Sequence, residues 1–250
     1  FLLGPMGQAF LNSYGWSVVL VLLALLVALV MPLSIFMRGR PEETAITSKQ
    51  SMSEALSEAA QHSGYVYLIL GFFVCGFHIT FVATHLPAYI TDQGLSAEVG
   101  AWSLAVIGLF NVFGAICAGI LANKFQKKNL LSLIYLSRGL FMVLFILLPI
   151  SQTTVLIVSA GLGFSWLSTV PLTSGIVAQV FGPRYMATLF GFVFVSHQLG
   201  SFMGVWLGGK IFDETGSYTM VWWLSIVLAL FAALVHLPIN ERPLARLKAI

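Results

Sequence analysis

The chain has 250 residues, of which 58% are hydrophobic and 8% are charged, and its formal net charge is +3. Soluble proteins contain about 45–50% apolar and about 25% charged residues, so this composition excludes a water-soluble domain and indicates a chain that lies in lipid. The basic residues are divided among short loops, which argues against a nucleic-acid partner and favours loops that contact anionic lipid and set the membrane topology.

The first predicted element is the apolar run from Phe1 to Leu11, which begins without Met and has the composition of the end of a helix. We therefore expect the sequence to be a fragment of a longer chain. A complete apolar run follows from Gly15 to Phe36 and is long enough to cross a membrane. Residues 1–36 thus form the first predicted unit.

Residues 37–63 are the long polar stretch of the sequence. Within it, Ser51 and Glu54 have the spacing of a capping box, in which each side chain binds the backbone N–H of the other residue. Met52 and Leu56 begin a weak apolar face. We expect a short amphipathic helix here, in a central loop on the cytoplasmic surface.

Six further apolar runs predict six membrane-spanning helices. Each has about 20 residues or more, the length that crosses a hydrocarbon core of about 30 Å. The connections are short, so sequential helices should be antiparallel neighbours. The predicted spans cover residues 64–89, 98–122, 129–150, 153–178, 187–209 and 219–238. A six-helix domain over 64–238 and a tail over 239–250 follow from this division.

Ten of the twelve Lys and Arg residues lie in stretches on one side of the predicted membrane. Lys210 is predicted to lie in a turn on the other side, and Arg138 lies inside an apolar run. The positive-inside rule assigns the basic side to the cytoplasm. We therefore expect a multi-pass protein of the bacterial inner (plasma) membrane, with the 37–63 loop and the C-terminus cytoplasmic. The ten residues are Arg38, Arg40, Lys49, Lys124, Lys127, Lys128, Arg184, Arg242, Arg246 and Lys248.

The order of loop residues is repeated at the two ends of the sequence. The first copy has an aromatic turn at Tyr14-Gly15-Trp16, a span, and Arg40-Pro41. The second has Gly216-Ser217-Tyr218, a span, and Arg242-Pro243. Duplicated halves are a common construction of transporters. By this register the first copy retains one and a half helices, and the second copy is complete with six.

The loop Gly119-Ile120-Leu121-Ala122-Asn123-Lys124-Phe125-Gln126-Lys127-Lys128 resembles the basic loop motif of the major facilitator superfamily, Gly-x-Leu-Ala-Asp-Arg-x-Gly-Arg-Arg. Asn123 stands at the acidic position and Gln126 at the second glycine, which departs from the charge pairing that the family attributes to this loop. The residues that we expect to act in the loop are Gly119, Asn123, Lys124, Lys127 and Lys128. Segments 71–89, 181–191 and 207–218 are similar to the monocarboxylate-transporter-like branch.

This resemblance implies an all-α polytopic fold with two six-helix halves around a central cavity, which opens to alternate sides and is usually coupled to a proton gradient. Residues 1–36 would be the end of the fifth helix and the sixth helix, and residues 64–238 the complete C-terminal half. The implied partners are a small-molecule substrate, the lipid bilayer and the missing N-terminal half of the same protein, with no nucleic acid.

The branch implies a secondary active carrier for a small organic anion such as a monocarboxylate. Carriers of this branch place an Asp and an Arg on the eighth helix, and the corresponding positions here hold Asn111 and Ala115. The usual carboxylate anchor is therefore missing. Because the spans are rich in aromatic residues, a carrier or efflux pump for an apolar, drug-like compound is the alternative.

His78 and His197 are the candidate proton-coupling residues. Apart from Glu98 at the first position of the span over 98–122, the predicted spans contain no Asp or Glu, and histidine is the side chain that changes charge near neutral pH. His85 lies on the same predicted face as His78, close to the outer surface. A satisfied hydrogen bond between helices is the alternative for each of them.

Substrate contacts are predicted at His78 and His197 and at five further residues. Arg138 lies about ten residues into a span, where a charge costs about 2.5–3.5 kcal/mol on insertion scales, so function is the first hypothesis. The resemblance places it on a peripheral helix, so a structural bond to neighbouring carbonyls or hydroxyls is equally open. Packing is the alternative for the other four. The five residues are Asn111, Arg138, Trp166, Thr169 and Gln198, with Trp166, Thr169 and Thr173 at helical spacing.

Gly200, Gly204 and Gly208 form a stripe of small residues that predicts close helix packing. Pro87, Pro149 and Pro171 can kink or break spans because proline lacks a backbone donor.

Two other protein classes are less compatible with the sequence. Seven apolar runs fit a seven-helix receptor, but the partial first run, the repeat and the Gly-x-Leu-Ala loop argue against it. An intramembrane hydrolase would need a nucleophile, and the sequence around Ser165 does not form a Gly-x-Ser-x-Gly elbow. Cys75 and Cys117 are too few to indicate disulfides or a metal site. We expect no enzyme, no catalytic residue, no cofactor and no metal.

Overall fold

The computed structural model describes residues 3–36 and 50–247. Arg38, Arg40, Lys49 and Lys248 lie outside the described residues, as do residues 37–49 of the predicted central loop. The described parts are helical, and the helices are α1 (Leu3–Tyr14), α2 (Trp16–Phe36), α3 (Met52–Gln61), α4 (Ser63–Asp92), α5 (Ala97–Leu121), α6 (Lys127–Leu147), α7 (Gln152–Phe164), α8 (Thr169–Phe181), α9 (Met186–Thr215) and α10 (Thr219–His236), followed by a single 3-10 turn at Ala245–Leu247.

Six helical segments of the described chain are long and apolar enough to cross a membrane: α4, α5, α6, α7 with α8, α9 and α10. Helices satisfy every backbone N–H and C=O within one segment, which is what a hydrocarbon environment requires. Many large apolar side chains face outward on these helices, as expected where lipid replaces water. The predicted all-α, polytopic fold class is confirmed.

Several helices extend beyond their apolar runs, which corrects the predicted position of the charges. Asp213, Glu214 and Lys210 were expected in a turn, but α9 continues to Thr215 and includes all three. Lys210 Nζ lies 3.9 Å from Glu214 Oε1 in an exposed ion pair one helical turn apart. Asp92 and Glu98 likewise lie in terminal turns of α4 and α5. Acidic residues of the six described spans are thus confined to exposed helix ends.

α4 and α9 are the most intimately packed pair. A Cβ atom built on Gly200 would lie 1.9 Å from the carbonyl oxygen of Phe73, and one on Gly204 would lie 2.4 Å from that of Phe77. Only hydrogen fits at such contacts, so the two backbones touch directly. A Cβ on Gly208 would meet the ring of His85 at 2.5 Å. The predicted glycine stripe therefore faces α4 along about two turns.

The other helices surround this pair. α10 packs against α6 and α4, α7 packs against both α5 and α6, and α1 packs against α5. One apolar core lies toward the end of the bundle that carries Ala59, Phe181 and Ile239. A second lies toward the opposite end, around Trp222 and Phe145.

The end of the bundle that carries the turns at residues 122–126 and 182–185 is called the basic end. α3 lies there, and both bonds of its Ser51–Glu54 capping box are formed, at 3.3 and 2.7 Å. The chain after α10 runs across the same end, where the backbone N–H of Leu244 donates to the carbonyl of Val180 at 3.1 Å. Arg246 then pairs with Glu58 of α3 at 2.9 Å. The tail is therefore tied to both α8 and α3.

The span predicted as one helix over 153–178 is interrupted. α7 ends at Phe164 and α8 begins at Thr169, although together they form one membrane-spanning segment. Pro171 lies in the first turn of α8, where its missing N–H is tolerated but the helix cannot continue backward through it unchanged. The predicted helical spacing of Trp166, Thr169 and Thr173 was therefore wrong for Trp166, which lies in the break.

Candidate functional site

The break at residues 165–168 exposes backbone groups that a continuous helix would have paired. Where a helix ends or begins, carbonyls and N–H groups lack their usual partners one turn away. Short local bonds pair some of these groups, such as the N–H of Trp166 with the carbonyl of Gly163 at 3.0 Å. Two hydroxyls inside the segment satisfy part of this demand. Ser165 Oγ donates to the carbonyl of Leu162 at 3.0 Å, and Ser168 Oγ donates to that of Phe164 at 2.7 Å. Neighbouring helices bind three further groups, the carbonyls of Ser165 and Trp166 and the N–H of Leu167.

Arg138 binds the break from α6. Its Nη2 donates to the carbonyl oxygens of Ser165 and Trp166, the latter at 3.0 Å. The side chain is 1% exposed. A guanidinium suits this position because one nitrogen offers two hydrogens to two adjacent acceptors.

Asn111 binds the break from α5. Its Oδ1 accepts a hydrogen bond from the backbone N–H of Leu167 at 2.9 Å. α7 packs against both α5 and α6, so Asn111 and Arg138 reach the break from two different helices. One satisfies a freed amide and the other satisfies two freed carbonyls.

The close approach of α5 to the break depends on glycine. A Cβ on Gly114 would lie 1.8 Å from the carbonyl oxygen of Phe164. A Cβ on Gly163 would lie 2.6 Å from that of Ile107. Both distances are far shorter than van der Waals contact, so a side chain at either position would push α5 and α7 apart.

No carboxylate of the described residues forms an ion pair with Arg138. Among the described residues, neither its Nε nor its Nη1 has a hydrogen-bond partner. The ring of Tyr135 lies 5.2 Å from the guanidinium carbon and offers only its π face. A buried cation normally has a charged partner or a full set of hydrogen bonds. Arg138 therefore has unused capacity to bind an anion.

Other buried polar side chains surround Arg138. Cys75 and His78 of α4 are its electrostatic neighbours, and so is Tyr135. Cys75 Sγ lies 3.2 Å from Thr169 Oγ1, and Cys75 also interacts with His197 of α9. We call this set the buried polar cluster; it comprises Cys75, His78, Tyr135, Arg138, Thr169 and His197, all less than a tenth exposed.

Members of the cluster also tie helices together. Tyr135 Oη donates to the carbonyl of Gly71 at 2.7 Å, and His78 Nε2 lies 2.9 Å from that of Ser225. Because a carbonyl can only accept, Nε2 of His78 carries the hydrogen and Nδ1 is left as an acceptor. That Nδ1 has no partner among the described residues. The cluster thus contains free N–H groups on Nε and Nη1 of Arg138 and a free acceptor on His78.

The structure groups most of the predicted substrate contacts. His78, Arg138, Thr169 and His197 belong to the cluster, while Asn111 and the backbone of Trp166 belong to the break beside it. Gln198 is exposed on α9 and lies outside the cluster. His85, nearer the opposite end, binds the carbonyl of Val205 at 3.0 Å through Nε2.

The predicted loop motif lies at the basic end. Gly119 lies on an open face of α5, where an added Cβ would meet no atom within 4 Å. Lys127 Nζ donates to Gln179 Oε1 at 2.7 Å, and Lys128 Nζ donates to the carbonyl of Leu237 at 2.9 Å. Asn123 and Lys124 lie in the turn between α5 and α6. The motif therefore contacts the ends of α8 and α10.

Sequence reasoning missed Cys75 and Tyr135. A signal existed for Tyr135, which lies three residues before Arg138 and hence on the same helix face. Cys75 likewise lies three residues before His78. The Ser165 hydroxyl, which a hydrolase would need as its nucleophile, instead donates to a helix carbonyl.

Comparison with known proteins places the chain in a family. The family model of the Major Facilitator Superfamily matches residues 1–205. The chain belongs to this superfamily.

Among curated relatives, the uncharacterized MFS-type transporter YcxA of Bacillus subtilis (strain 168) is 26% identical over 246 residues, covering 94% of this chain and 60% of that protein. Monocarboxylate transporter 13 of Rattus norvegicus is 26% identical, covering 88% of this chain and 51% of the relative. Monocarboxylate transporter 12 of Mus musculus is 23% identical, with 94% and 55% covered. This member of the superfamily thus spans about half to three fifths of the length of these relatives.

Proposed function

We propose that this superfamily member is a secondary active carrier for a small organic anion such as a monocarboxylate. The observation that carries the proposal is Arg138, a buried guanidinium with unpaired N–H groups and no carboxylate partner in the described chain. A substrate carboxylate would supply both the missing charge and the missing acceptors. The names of the monocarboxylate transporters among its relatives support the same substrate class.

Arg138 would then serve as the anion anchor in place of the Asp and Arg that the branch carries on the eighth helix. The positions of that pair hold Asn111 and Ala115 in this chain. Asn111 binds the break on which the backbone partners of Arg138 lie. Arg138 on α6 would thus bind the substrate, and Asn111 on α5 would hold the break in position.

Proton coupling is proposed at His78 and His197. A proton on Nδ1 of His78 would add a second positive charge near Arg138, its electrostatic neighbour. Like charges in a buried site oppose each other, whereas a bound anion offsets both. Proton and anion would therefore bind best together, which is the condition for symport.

The complete carrier is proposed to contain a second helical half, of which α1 and α2 are the end, and to operate by alternating access. The proposed location is the bacterial inner membrane, with the basic end in the cytoplasm, since basic loops favour that side. Six described spans with a basic end and exposed acids at the opposite end support this orientation.

Uptake into vesicles tests the proposal. The carrier, reconstituted as the full polypeptide that contains these 250 residues, is expected to accumulate radiolabelled acetate or lactate when an acid-outside pH gradient is imposed. Arg138→Gln should lower uptake by about tenfold or more, because a hydrogen bond to a charged group contributes about 1.5–3 kcal/mol. Arg138→Lys should retain part of the activity.

Lys210→Gln is the matched control, since Lys210 is an exposed cation at the end of the bundle opposite the basic end. It should transport at the wild-type rate. Equal acetate uptake by Arg138→Gln and wild type, at equal amounts of inserted protein, would refute the proposal. Arg138-independent uptake of an uncharged aromatic compound such as benzamide would instead support an apolar substrate.

A further inference from the structure

The two hydrogens of Arg138 Nη2 are already used. Nη2 donates to two acceptors, the carbonyls of Ser165 and Trp166. The free donors are Nε–H and the two hydrogens of Nη1. Each outer edge of a guanidinium that can form two parallel bonds combines Nη2 with either Nε or Nη1. Both of these edges therefore include a hydrogen that a carbonyl of the break occupies.

A carboxylate binds arginine most strongly through two parallel N–H···O bonds. At Arg138 this geometry requires that the carboxylate replace one of the two backbone carbonyls. A single bond to Nη1 or Nε would leave the carbonyls in place but would lose the stronger, bidentate arrangement. Substrate and helix break thus compete for the same nitrogen.

The break also covers the guanidinium. Arg138 is 1% exposed, and its Nη2 lies against the backbone of residues 165 and 166. An anion that binds Nη2 can do so only in a conformation in which this backbone has moved. A ligand that binds such a minor conformation increases its population.

Asn111 binds the same peptide group as one of the two Arg138 bonds. The N–H of Leu167 donates to Asn111, and the carbonyl of Trp166, which accepts from Arg138, belongs to the same planar peptide unit. Without the Arg138 bonds, this peptide would still be tied to α5 through Asn111. The preceding peptide, which carries the carbonyl of Ser165, would lose its bond to α6.

We propose that Arg138 couples substrate binding to a hinge: a bidentate carboxylate displaces a backbone carbonyl of Ser165 or Trp166, and this releases the break in the α7–α8 span. The inference rests on the proposed anion-carrier function and adds the element that moves and the bond that controls it. Arg138 then binds the anion and, without substrate, holds the break in place through its two carbonyl bonds.

Hydrogen–deuterium exchange of the reconstituted full-length carrier tests the hinge. Acetate should increase the exchange rate of amides in residues 161–172 several-fold, while acetamide, which has the same shape without the charge, should leave it unchanged. Arg138→Lys cannot form the two carbonyl bonds together with a fork to acetate. Its break should therefore respond to acetate much less than that of the wild type.

Asn111→Ala is the second variant. It should also raise exchange at the break, but it should keep the acetate response because Arg138 is intact. Unchanged exchange in α10 verifies that each variant is folded. If acetate is taken up in an Arg138-dependent manner while exchange at 161–172 stays constant or falls, the hinge is refuted and the carrier function stands. If no Arg138-dependent acetate uptake occurs, both proposals fail.

Discussion

At the scale of single residues, the unusual feature is Arg138, a buried cation that donates its hydrogen bonds to backbone carbonyls rather than to a carboxylate. A charge near the middle of a span costs about 2.5–3.5 kcal/mol on insertion scales. Two carbonyl bonds to Arg138 offset part of this cost and also satisfy acceptors that the break leaves without partners. The remaining donors of Arg138 stay unpaired in the described structure.

Gly114 and Gly119 offer a matched test of the α5–α7 contact, since both lie on α5. Gly114→Ala should destabilise the protein by about 1–3 kcal/mol, because its Cβ would lie 1.8 Å from the carbonyl oxygen of Phe164 and the break would have to shift. Gly119→Ala meets no atom within 4 Å and should be neutral or stabilising by up to about 1 kcal/mol.

Chemical unfolding in detergent, followed by loss of helical circular dichroism, measures both variants. Equal stability of Gly114→Ala and Gly119→Ala would contradict the close contact between α5 and the break.

Individual residues of the site could be predicted from the sequence only where a charged or ionisable side chain interrupts an apolar run. Arg138 and the two histidines stand out because polar groups are rare in apolar runs. Cys75 and Tyr135 do not, since both are ordinary in a membrane helix. Their importance arises from partners on other helices, such as Thr169 for Cys75 and Gly71 for Tyr135. A single sequence does not reveal which faces those helices turn toward each other.

At the scale of helices, the spans could be predicted because hydrocarbon imposes their length and apolar composition. The break between α7 and α8 could not be predicted. Residues 165–168 (Ser-Trp-Leu-Ser) are compatible with a buried helix, and their serines can pair with carbonyls of the preceding turn. Pro171 signalled a disturbance, but its position did not show whether the helix would bend or stop.

The chain after α10 is attached to α3 at the basic end. Arg246 pairs with Glu58, and Gln50 also donates to Glu58 at 2.9 Å. Burial alone would raise the pKa of Glu58, but the hydrogen bonds from Arg246 and Gln50 and the charge of Arg246 outweigh it and lower the pKa below its ordinary value of 4.5. Arg246 also donates to the carbonyl of Phe181 at 2.9 Å.

A carboxylate whose pKa is lowered in the folded state stabilises that state above its ordinary pKa and loses this effect as the pH falls through the folded value. The attachment of the tail to α3 should therefore be constant at neutral pH and weaken below about pH 4.5. Arg246→Ala should release the tail at neutral pH and remove this dependence on acid.

Hydrogen exchange of residues 241–247 between about pH 3 and pH 7, corrected for the intrinsic pH dependence of exchange, measures this attachment. Arg242→Ala is the control, because Arg242 has no ion pair among the described residues. A tail that exchanges equally in Arg246→Ala and Arg242→Ala would show that the ion pair does not hold it.

At the scale of the whole molecule, six spans form one bundle and α1 packs on its outer helix α5. The repeat in the sequence suggested this division, because the loop residues recur in the same order. The packing between spans could not be predicted from the sequence. The exception is the face of α9 that meets α4, which Gly200, Gly204 and Gly208 indicated.

The 250-residue chain by itself should insert into vesicles and show no uptake of acetate, since the proposed mechanism needs two halves that open around a shared site. Co-expression with the proposed N-terminal half should restore uptake. Insertion is verified by protease protection of the spans. Acetate accumulation by the 250 residues alone would contradict the two-half mechanism.

The direct backbone contact between α4 and α9 supplies an internal reference frame for measuring motion. Because no side chain separates Gly200 from Phe73 or Gly204 from Phe77, we expect these two helices to move together. A spectroscopic label at exposed Phe202 on α9 should then report the position of both. Its distance to a second label at Leu167 would measure displacement of the break relative to this helix pair.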